Sequence, residues 1–215
     1  MSYYNKPITF SGVQALYKHI SRAELIDDTE TSLLLIGGCS RSGKSSIAGG
    51  LSYLFSVNGI NNLVISLDNW LVSVEKRKID SRVIDRYNCN SIVDALRSML
   101  KGDTIYPPIY DVHSRQRIAE RGNTPLEIKS GVVIAEGVVA LALKDLFDLA
   151  AIKIYVKIDD DLRQKRLELF YKEKGLNTDK IQRVISEREK EEVPFIKNTI
   201  KYANYIIENG QSLLN

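Results

Sequence analysis

A glycine-rich loop between an apolar run and a helical pattern is the feature that most limits how this chain can fold. Within LLLIGGCSRSGKSSIAGGL, residues 33–51, the spacing GxxxxGK[ST] runs from Gly38 to Ser45. Glycines let such a loop curl so that successive backbone N–H groups point inward toward phosphate oxygens. Lys44 can reach the β- and γ-phosphates of a nucleotide, and the Ser45 hydroxyl can bind Mg²⁺. The residues predicted to contact the nucleotide are Gly38, Cys39, Ser40, Arg41, Ser42, Gly43, Lys44, Ser45 and Ser46.

Short apolar runs alternate with helical patterns along the rest of the chain. Buried strands are predicted at 32–37, 62–67 and 131–137. A fourth strand at 151–158 alternates partly, as an edge strand does, and a last short strand is predicted at 202–207. Helices are predicted at 11–25, 44–57, 90–102, 160–175 and 178–192, the first with a capping box of Ser11 and Gln14. This alternation predicts the α/β class, with a parallel sheet covered by helices.

Composition and charge limit the partners of the chain. Its 215 residues suit one domain, and 30 basic against 27 acidic residues give a formal charge of +3. That small excess argues against an obligate nucleic-acid partner and suits a small anionic ligand. The two cysteines make no disulfide framework, and the apolar run 132–143 is interrupted by Glu136 and too short to span a bilayer. Since residues 1–10 also lack a signal-peptide pattern, we expect a cytoplasmic protein without a membrane partner.

Two acidic residues directly follow predicted buried strands. Asp68 comes after VISL, and Glu136 comes after VVIA. Because ligands of open α/β sheets lie beyond the carboxyl ends of the strands, both side chains are expected on the phosphate side of the loop. A carboxylate there can bind Mg²⁺, or it can orient an acceptor hydroxyl and take its proton. The alternatives are a cap or turn role for Asp68 and a satisfied carboxylate beside the turn at Gly137 for Glu136.

Five stretches together resemble a known family. In order along the chain, GGCSRSGKSS, ISLDNW, YPPIYDVHSR, VVIAEGVVAL and DDLRQKR resemble motifs of the uridine kinase and phosphoribulokinase group of P-loop kinases. The ending VPFIKNTIKYANYIIENG is similar to the tail of uridine kinases, so the resemblance runs from about residue 33 to 210. It implies a P-loop NTPase fold of three layers: a five-stranded, mainly parallel sheet with helices on both faces and a helical lid. The implied reaction moves the γ-phosphate of ATP or GTP to a hydroxyl of a nucleoside or small phosphorylated sugar.

The resemblance also implies a role for individual residues. Asp68 is expected to be the catalytic base, and Ser45, Asp68 and Glu136 are expected to surround Mg²⁺. Lys44, Arg163 and Arg166 are expected to stabilise the transferring phosphoryl group. The whole chain is expected to form one kinase domain, with an N-terminal helical extension at 1–31 and a lid at 159–192. The residues expected at the acceptor site are Asp68, Trp70, Tyr110, Asp111, His113 and Arg115.

The chemistry of arginine supports the lid assignment independently. Arg163 and Arg166 are three residues apart, so on a helix they share one face. Guanidinium groups spread positive charge over phosphoryl oxygens as the bond to the leaving group breaks. The alternative is a solvated basic face paired with the acidic residues one turn earlier, Asp159, Asp160 and Asp161. Weaker candidates for binding phosphate or an anionic acceptor are Arg115, Arg117 and Arg188.

The chain departs from the uridine kinase pattern around the acceptor. Where uridine kinases have DDFY or DSFY, this chain has DNWL, which ends in Leu71. The histidine of YDVHSR stands one residue early, and LELFYKEKGLN lacks the arginine-rich RD…ERGR pattern. Nicotinamide riboside, pantothenate and a sugar phosphate are therefore rival acceptors to uridine or cytidine.

A function from another class stays open as an alternative. The chain could be a nucleotide-dependent switch whose hydrolysis drives partner binding, or a degenerate kinase kept as a binding module. Against a switch, NKxD is absent, since the NK at residues 5–6 is followed by Pro7, and Asp68 leads into NWL rather than a DxxG. The chain keeps Lys44, Ser45, Asp68 and Glu136, which argues against lost chemistry. The oligomeric state is also open, including a homo-oligomer.

Overall fold

Six parallel strands form the central sheet of the protein. The computed structural model describes residues 6–26, 29–78 and 81–209. The strands of this sheet are β1 (Ile8–Phe10), β2 (Thr31–Gly37), β3 (Asn62–Ser66), β6 (Gly131–Glu136), β7 (Ala150–Lys157) and β8 (Tyr205–Glu208). Their order is β1-β8-β7-β2-β6-β3, and every neighbouring pair is parallel. A separate antiparallel hairpin consists of β4 (Ile109–Asp111) and β5 (Gln116–Ala119).

Helices cover both faces of this sheet. The helices are α1 (Val13–Arg22), α2 (Lys44–Val57), α3 (Cys89–Leu100), α4 (Asp160–Glu173) and α5 (Thr178–Asn198). Alternate residues of β2 belong to the apolar layers on opposite faces of the sheet. Leu34 packs with α1 and α2, whereas Leu35 packs with α3. Because both faces are covered, every residue of β6 is buried, which explains its unbroken apolar run. The predicted α/β architecture of three layers is confirmed.

The sheet has one strand more than the five that the resemblance implied. The additional strand is β1, which pairs in parallel with β8 at the sheet edge. Its three residues are too few to show a strand period in the sequence. The N-terminal segment, expected to be helical, therefore contains a strand as well as α1. Residues 1–5 and 27–28 of that predicted extension lie outside the described residues.

Three local predictions were also wrong. Strand β7 lies between β8 and β2 rather than at an edge. Its partial alternation arises because one of its two faces is covered less completely than the other, so that Ala151 is exposed. Helix α1 starts after Gly12 without a side-chain capping hydrogen bond, so the capping box of Ser11 and Gln14 does not form. Helix α5 continues through Pro194 to Asn198, past its predicted end at residue 192.

Within the described ranges, no helix combines the length and apolar character needed to cross a bilayer.

The order of the strands determines where the site lies. Strand β6 is paired with β2 on one side and with β3 on the other, so that Glu136 lies opposite Ile36 and Ser66. The loop after β2, the turn after β3 and the end of β6 therefore meet at one edge of the sheet. Helices α4 and α5, which span the predicted lid, pack on each other through a small apolar cluster of their own, containing Leu167, Tyr171, Ile181 and Ile185.

Candidate active site

The phosphate loop, residues 38–45, has the backbone geometry that its glycines predict. Gly43 directly precedes α2 with a φ of 95°, in the left-handed region that favours glycine. A Cβ atom at this position would overlap the side-chain amide of Asn209. That amide donates a hydrogen bond to the carbonyl of Ser42 at 2.7 Å. A residue from the end of β8 thus supports the loop beside the start of α2.

Lys44 turns back into the loop. It is the first residue of α2, is nearly buried, and its Nζ donates to the carbonyl of Cys39 at 3.0 Å. The Cys39 thiol is buried, 3.8 Å from the Tyr155 hydroxyl, and its burial raises its pKa. A buried thiol with a raised pKa is a poor nucleophile, so the structure gives Cys39 a packing role. Of the other residues predicted to contact the nucleotide, Ser46 is exposed and Ser42 is buried.

Oxygen atoms suited to Mg²⁺ lie directly beside the loop. The Ser45 hydroxyl donates to Glu136 Oε1 at 3.2 Å. Glu136 is buried, and this burial raises the pKa of its carboxyl group, while nearby Lys44 lowers it. The negative charge of Asp68 raises the same pKa, so the two acids at the strand ends lie near each other. A hydroxyl and carboxylates are hard oxygen ligands, and this set fits Mg²⁺.

Asp68 has a partner that the sequence analysis missed. It lies in a short 3-10 helix, Leu67–Trp70, directly after β3. The Tyr87 hydroxyl donates to its Oδ1 at 2.9 Å, because an isolated bridge between Leu71 and Tyr87 brings the two segments together. Burial is the largest cause and the charge of Asp68 the second, and both raise the pKa of Tyr87 well above its usual value. The phenol therefore stays protonated. One carboxylate oxygen is held, and the Asp68 side chain is oriented.

The predicted acceptor residues on the β4–β5 hairpin lie in different environments. Tyr110, on β4, lies beside the Asp68 segment, the short helix Leu67–Trp70 with Leu71 after it. The Tyr110 hydroxyl accepts a hydrogen bond from Arg77 Nη2 at 2.9 Å. His113 and Arg115 are exposed near the tip of the hairpin. Asp111 instead shapes the hairpin turn: its carboxylate accepts the N–H groups of His113 and Ser114, and hydrogen bonds lower its pKa to about 2.

The acceptor assignment of Trp70 is not supported. Its side chain is only 2% exposed and packs in the core with α3, so only its backbone is presented. Arg117 donates to the carbonyls of Trp70 and Leu71 at 2.6 and 3.1 Å. It also pairs with Glu120 at 3.0 Å. Arg117 therefore ties the hairpin to the Asp68 segment and is not free to bind an anion.

The two predicted lid arginines lie in different environments. Arg166 reaches the phosphate loop, where its Nη1 donates to the carbonyl of Arg41 at 3.4 Å. Arg163 is only 1% exposed and pairs with Glu189 of α5 and with Asp160, the latter at 3.6 Å. Arg163 does pair with Asp160, as the alternative expected, but it is buried rather than solvated and its closer partner is Glu189. The catalytic assignment is corrected to a position in the interior of the lid.

A third arginine of the lid lies at the phosphate loop. Arg188 Nη1 donates to the Ser40 hydroxyl at 3.0 Å, and Ser40 in turn donates to Glu192 Oε1 at 2.6 Å. Burial alone would lower the pKa of Arg188, but the negative charges of Glu192 and Asp68 help to raise it. The sequence names Arg188 only as a weaker candidate for binding phosphate, and its contacts with Ser40 and Glu192 depend on the folded chain.

The different positions of Arg163 and Arg166 predict different mutant phenotypes. Replacing Arg163 by Gln leaves Glu189 without its buried partner, so we expect a loss of about 2–4 kcal/mol in the free energy of unfolding. Replacing Arg166 by Gln should change that free energy by less than about 0.5 kcal/mol and should lower kinase activity instead. Urea unfolding of both variants beside the original protein measures the difference. Equal stability of the two variants would contradict the burial argument.

The sequence of this chain is similar to those of known proteins. A model of the "Phosphoribulokinase / Uridine kinase family" matches residues 33–214. The chain is 30% identical over 187 residues to a uridine kinase of Clostridium novyi (strain NT). The aligned region covers 83% of this chain and 87% of that protein. It is 29% identical over 191 residues to a uridine kinase of Staphylococcus aureus (strain JH9), with 85% and 89% covered.

A solved structure agrees at the level of the fold. A possible uridine kinase from Bacillus stearothermophilus matches with a TM-score of 0.61 at 21% identity, covering 91% of this chain and 96% of that one. The family model spans the phosphate loop, both acids at the strand ends, the hairpin and the lid. On these grounds the chain belongs to the phosphoribulokinase and uridine kinase family of P-loop kinases.

Proposed function

We propose that this kinase transfers the γ-phosphoryl group of ATP, or of GTP, to a hydroxyl of a nucleoside or another small metabolite. The observation that carries the proposal is the position of Asp68. Its carboxylate lies at the end of β3, near Glu136 and the phosphate loop, and one of its oxygens is held by Tyr87. A carboxylate oriented in this way beside a phosphate loop suits removal of a proton from an acceptor hydroxyl.

The phosphate loop would bind the nucleotide. Its inward N–H groups and the start of α2 attract phosphate oxygens, and Lys44 can leave the Cys39 carbonyl to contact the β- and γ-phosphates. Ser45 and Glu136 would hold Mg²⁺ directly, and Asp68 would hold it through a water molecule. When bound, Mg²⁺ supplies positive charge that offsets the negative charge of the phosphoryl oxygens.

Asp68 would accept the proton of the acceptor. Tyr87 occupies Oδ1, which leaves Oδ2 to receive the proton from the hydroxyl. The hydroxyl oxygen then bonds to the γ-phosphorus, and the bond from that phosphorus to the bridging oxygen of ADP breaks. Products are ADP and the phosphorylated acceptor, and the proton that Asp68 has taken returns to solvent.

The lid would complete the site. Arg41 of the loop lies over the Phe170 ring of α4, at 3.5 Å from the ring centroid, and Arg166 and Arg188 contact the loop from the two lid helices. Their positive charge suits stabilisation of a transferring phosphoryl group. A lid in contact with the loop also excludes water, which favours transfer to the acceptor over hydrolysis.

Arg188 provides a specific test of this lid assignment. We expect Arg188→Gln to lower kcat by about 10²- to 10³-fold, as for the loss of one donor to a transition state. The KM for ATP should change far less, because the loop itself is intact. Arg183→Gln is the matched control, since Arg183 lies on the same helix and pairs with Glu187 on the surface. An equal effect of the two substitutions on kcat would contradict the assignment.

A panel of acceptors tests the proposed function as a whole. Nucleosides, vitamins and sugars are each added to the protein with Mg²⁺ and ATP or GTP, and the rate of ADP or GDP release is measured. Relatives named uridine kinase place uridine and cytidine first in the panel. We expect one compound to stimulate release strongly. If no compound does so and a protein partner does, the switch alternative is favoured.

A further inference from the structure

Among the described residues, three basic side chains at and beside the hairpin form no ion pair within 4.0 Å. Arg77 follows the Asp68 segment and is half-buried; its Nε donates to the carbonyl of Val72 at 2.8 Å and its Nη2 to the Tyr110 hydroxyl at 2.9 Å. Both of these acceptors are neutral. In the described part of the chain, Arg77 has no carboxylate within ion-pair distance, and its Nη1 makes no hydrogen bond.

The other two are Arg115 and Lys174. Arg115 lies at the hairpin tip, and its carbonyl accepts the N–H of Val74 at 3.0 Å, which fixes the tip beside the segment leading to Arg77. Lys174 follows α4, and its Nζ donates to the carbonyl of Val112 at 2.5 Å, so that it joins the lid to the hairpin. Among the residues that the structure describes, neither side chain forms an ion pair.

These cations are close enough to repel one another. Burial, and then the neighbouring charge of Arg115, lowers the pKa of Arg77, although Tyr110 opposes the effect. Burial, and then the charges of Arg115 and Arg41, lowers the pKa of Lys174, and the charge of Asp111 opposes the effect. Other arginines nearby differ, because Arg86 pairs with Glu191 at 2.9 Å and Arg188 with Glu192 at 3.6 Å. Arg77, Arg115 and Lys174 therefore place positive charge between the Asp68 segment, the hairpin and the lid, and the Asp111 carboxylate on the hairpin offsets part of it.

We propose that the acceptor carries an anionic group, a phosphate or a carboxylate, and that Arg77 binds this group together with Arg115 and Lys174. This inference rests on the proposed kinase function and narrows its acceptor. The guanidinium of Arg77 is already oriented by Val72 and Tyr110, and a planar guanidinium with free N–H groups suits anionic oxygens. The hydroxyl of the acceptor would lie at Asp68, and its anionic group would lie toward Arg77. A neutral nucleoside would leave the three cations unpaired.

The nucleotide is the competing explanation for this positive charge. Arg41, Arg166 and Arg188 contact or belong to the phosphate loop, so they are placed for ATP. Arg77 instead contacts Tyr110 of the hairpin. The two explanations differ in one measurable quantity: loss of Arg77 changes the KM for the acceptor if the acceptor is anionic, and the KM for ATP if the charge serves the nucleotide.

Matched acceptors test the inference on the original protein. The compounds are ribose with ribose 5-phosphate and glycerol with glycerate, and formation of ADP is measured with ATP and Mg²⁺. We expect kcat/KM to be at least about 10-fold higher for the anionic member of the pair that is used, as for charge-assisted hydrogen bonds. Preference for a neutral member would overturn the inference and leave the kinase function standing. Absence of transfer to every acceptor would overturn both.

Substitutions then assign the effect to residues. Arg77→Gln should raise the KM for the anionic acceptor by about 10- to 100-fold and leave the KM for ATP within about twofold. Arg115→Gln serves as the second variant, since Arg115 is exposed and its substitution does not disturb a packed contact. Arg82→Gln is the control, because Arg82 pairs with Asp85 on the surface. A rise in the KM for ATP alone, or equal effects of Arg77→Gln and Arg82→Gln, would overturn the assignment.

Discussion

Replacement of Asp68 by Asn is expected to lower kcat by about 10²- to 10⁴-fold, the usual contribution of a general base. The amide has the shape of the carboxylate and still offers Oδ1 to the Tyr87 hydroxyl, so the local structure should persist. It cannot accept a proton from the acceptor hydroxyl. Steady-state kinetics with the best acceptor of the panel measures the effect, and titration with ADP in the absence of Mg²⁺ shows whether nucleotide affinity stays within about threefold.

The control for this substitution is Asp94→Asn. Asp94 is exposed on α3, so the loss of its charge tests a general electrostatic effect without touching the site. We expect kcat of that variant to stay within about twofold of the original. Near-normal turnover of the Asp68 variant would remove Asp68 as the base.

The Gly43→Ala substitution should weaken nucleotide binding by at least about 30-fold. An alanine in the left-handed region costs about 1–2 kcal/mol, and its Cβ would also overlap the Asn209 amide. The loop must then shift, which displaces the N–H groups that hold phosphate. A total cost of about 2 kcal/mol corresponds to the 30-fold loss of affinity. Titration of the folded variant with ADP measures it directly.

Gly49→Ala is the matched control on α2. Gly49 lies in the interior of the helix, and a Cβ atom there would meet no other side chain within 4 Å. Alanine at this position should leave nucleotide affinity unchanged and stabilise the fold by about 0.5–1 kcal/mol, since glycine loses more freedom in a helix. Equal loss of affinity in both variants would show that the backbone of Gly43 is not the cause.

Features encoded within a short stretch of sequence could be predicted. The phosphate loop follows from its own glycine spacing, and its strand and helix follow from apolar runs on each side. The proximity of Asp68 and Glu136 could be predicted because parallel strands end at one edge of the sheet. Such arguments need only local patterns and the rules of α/β topology.

Features that depend on distant packing could not be predicted. Trp70 stands beside the base in sequence, yet its large apolar side chain is stabilised by burial in the core. Arg163 and Arg166 share a face on an isolated helix, but α5 brings Glu189 to one of them and not to the other. Arg188 and Ser40 are 148 positions apart, so only the folded chain shows their contact.

The most direct test of the account follows the labelled γ-phosphate of ATP. The protein is incubated with γ-labelled ATP, Mg²⁺ and the acceptor panel, and the label is divided between phosphorylated acceptor and inorganic phosphate. We expect most of the label on one small hydroxyl compound, and loss of that transfer in Asp68→Asn. Label found only in inorganic phosphate, at a rate that no acceptor changes, would contradict the assignment of Asp68 as the base for transfer to a hydroxyl.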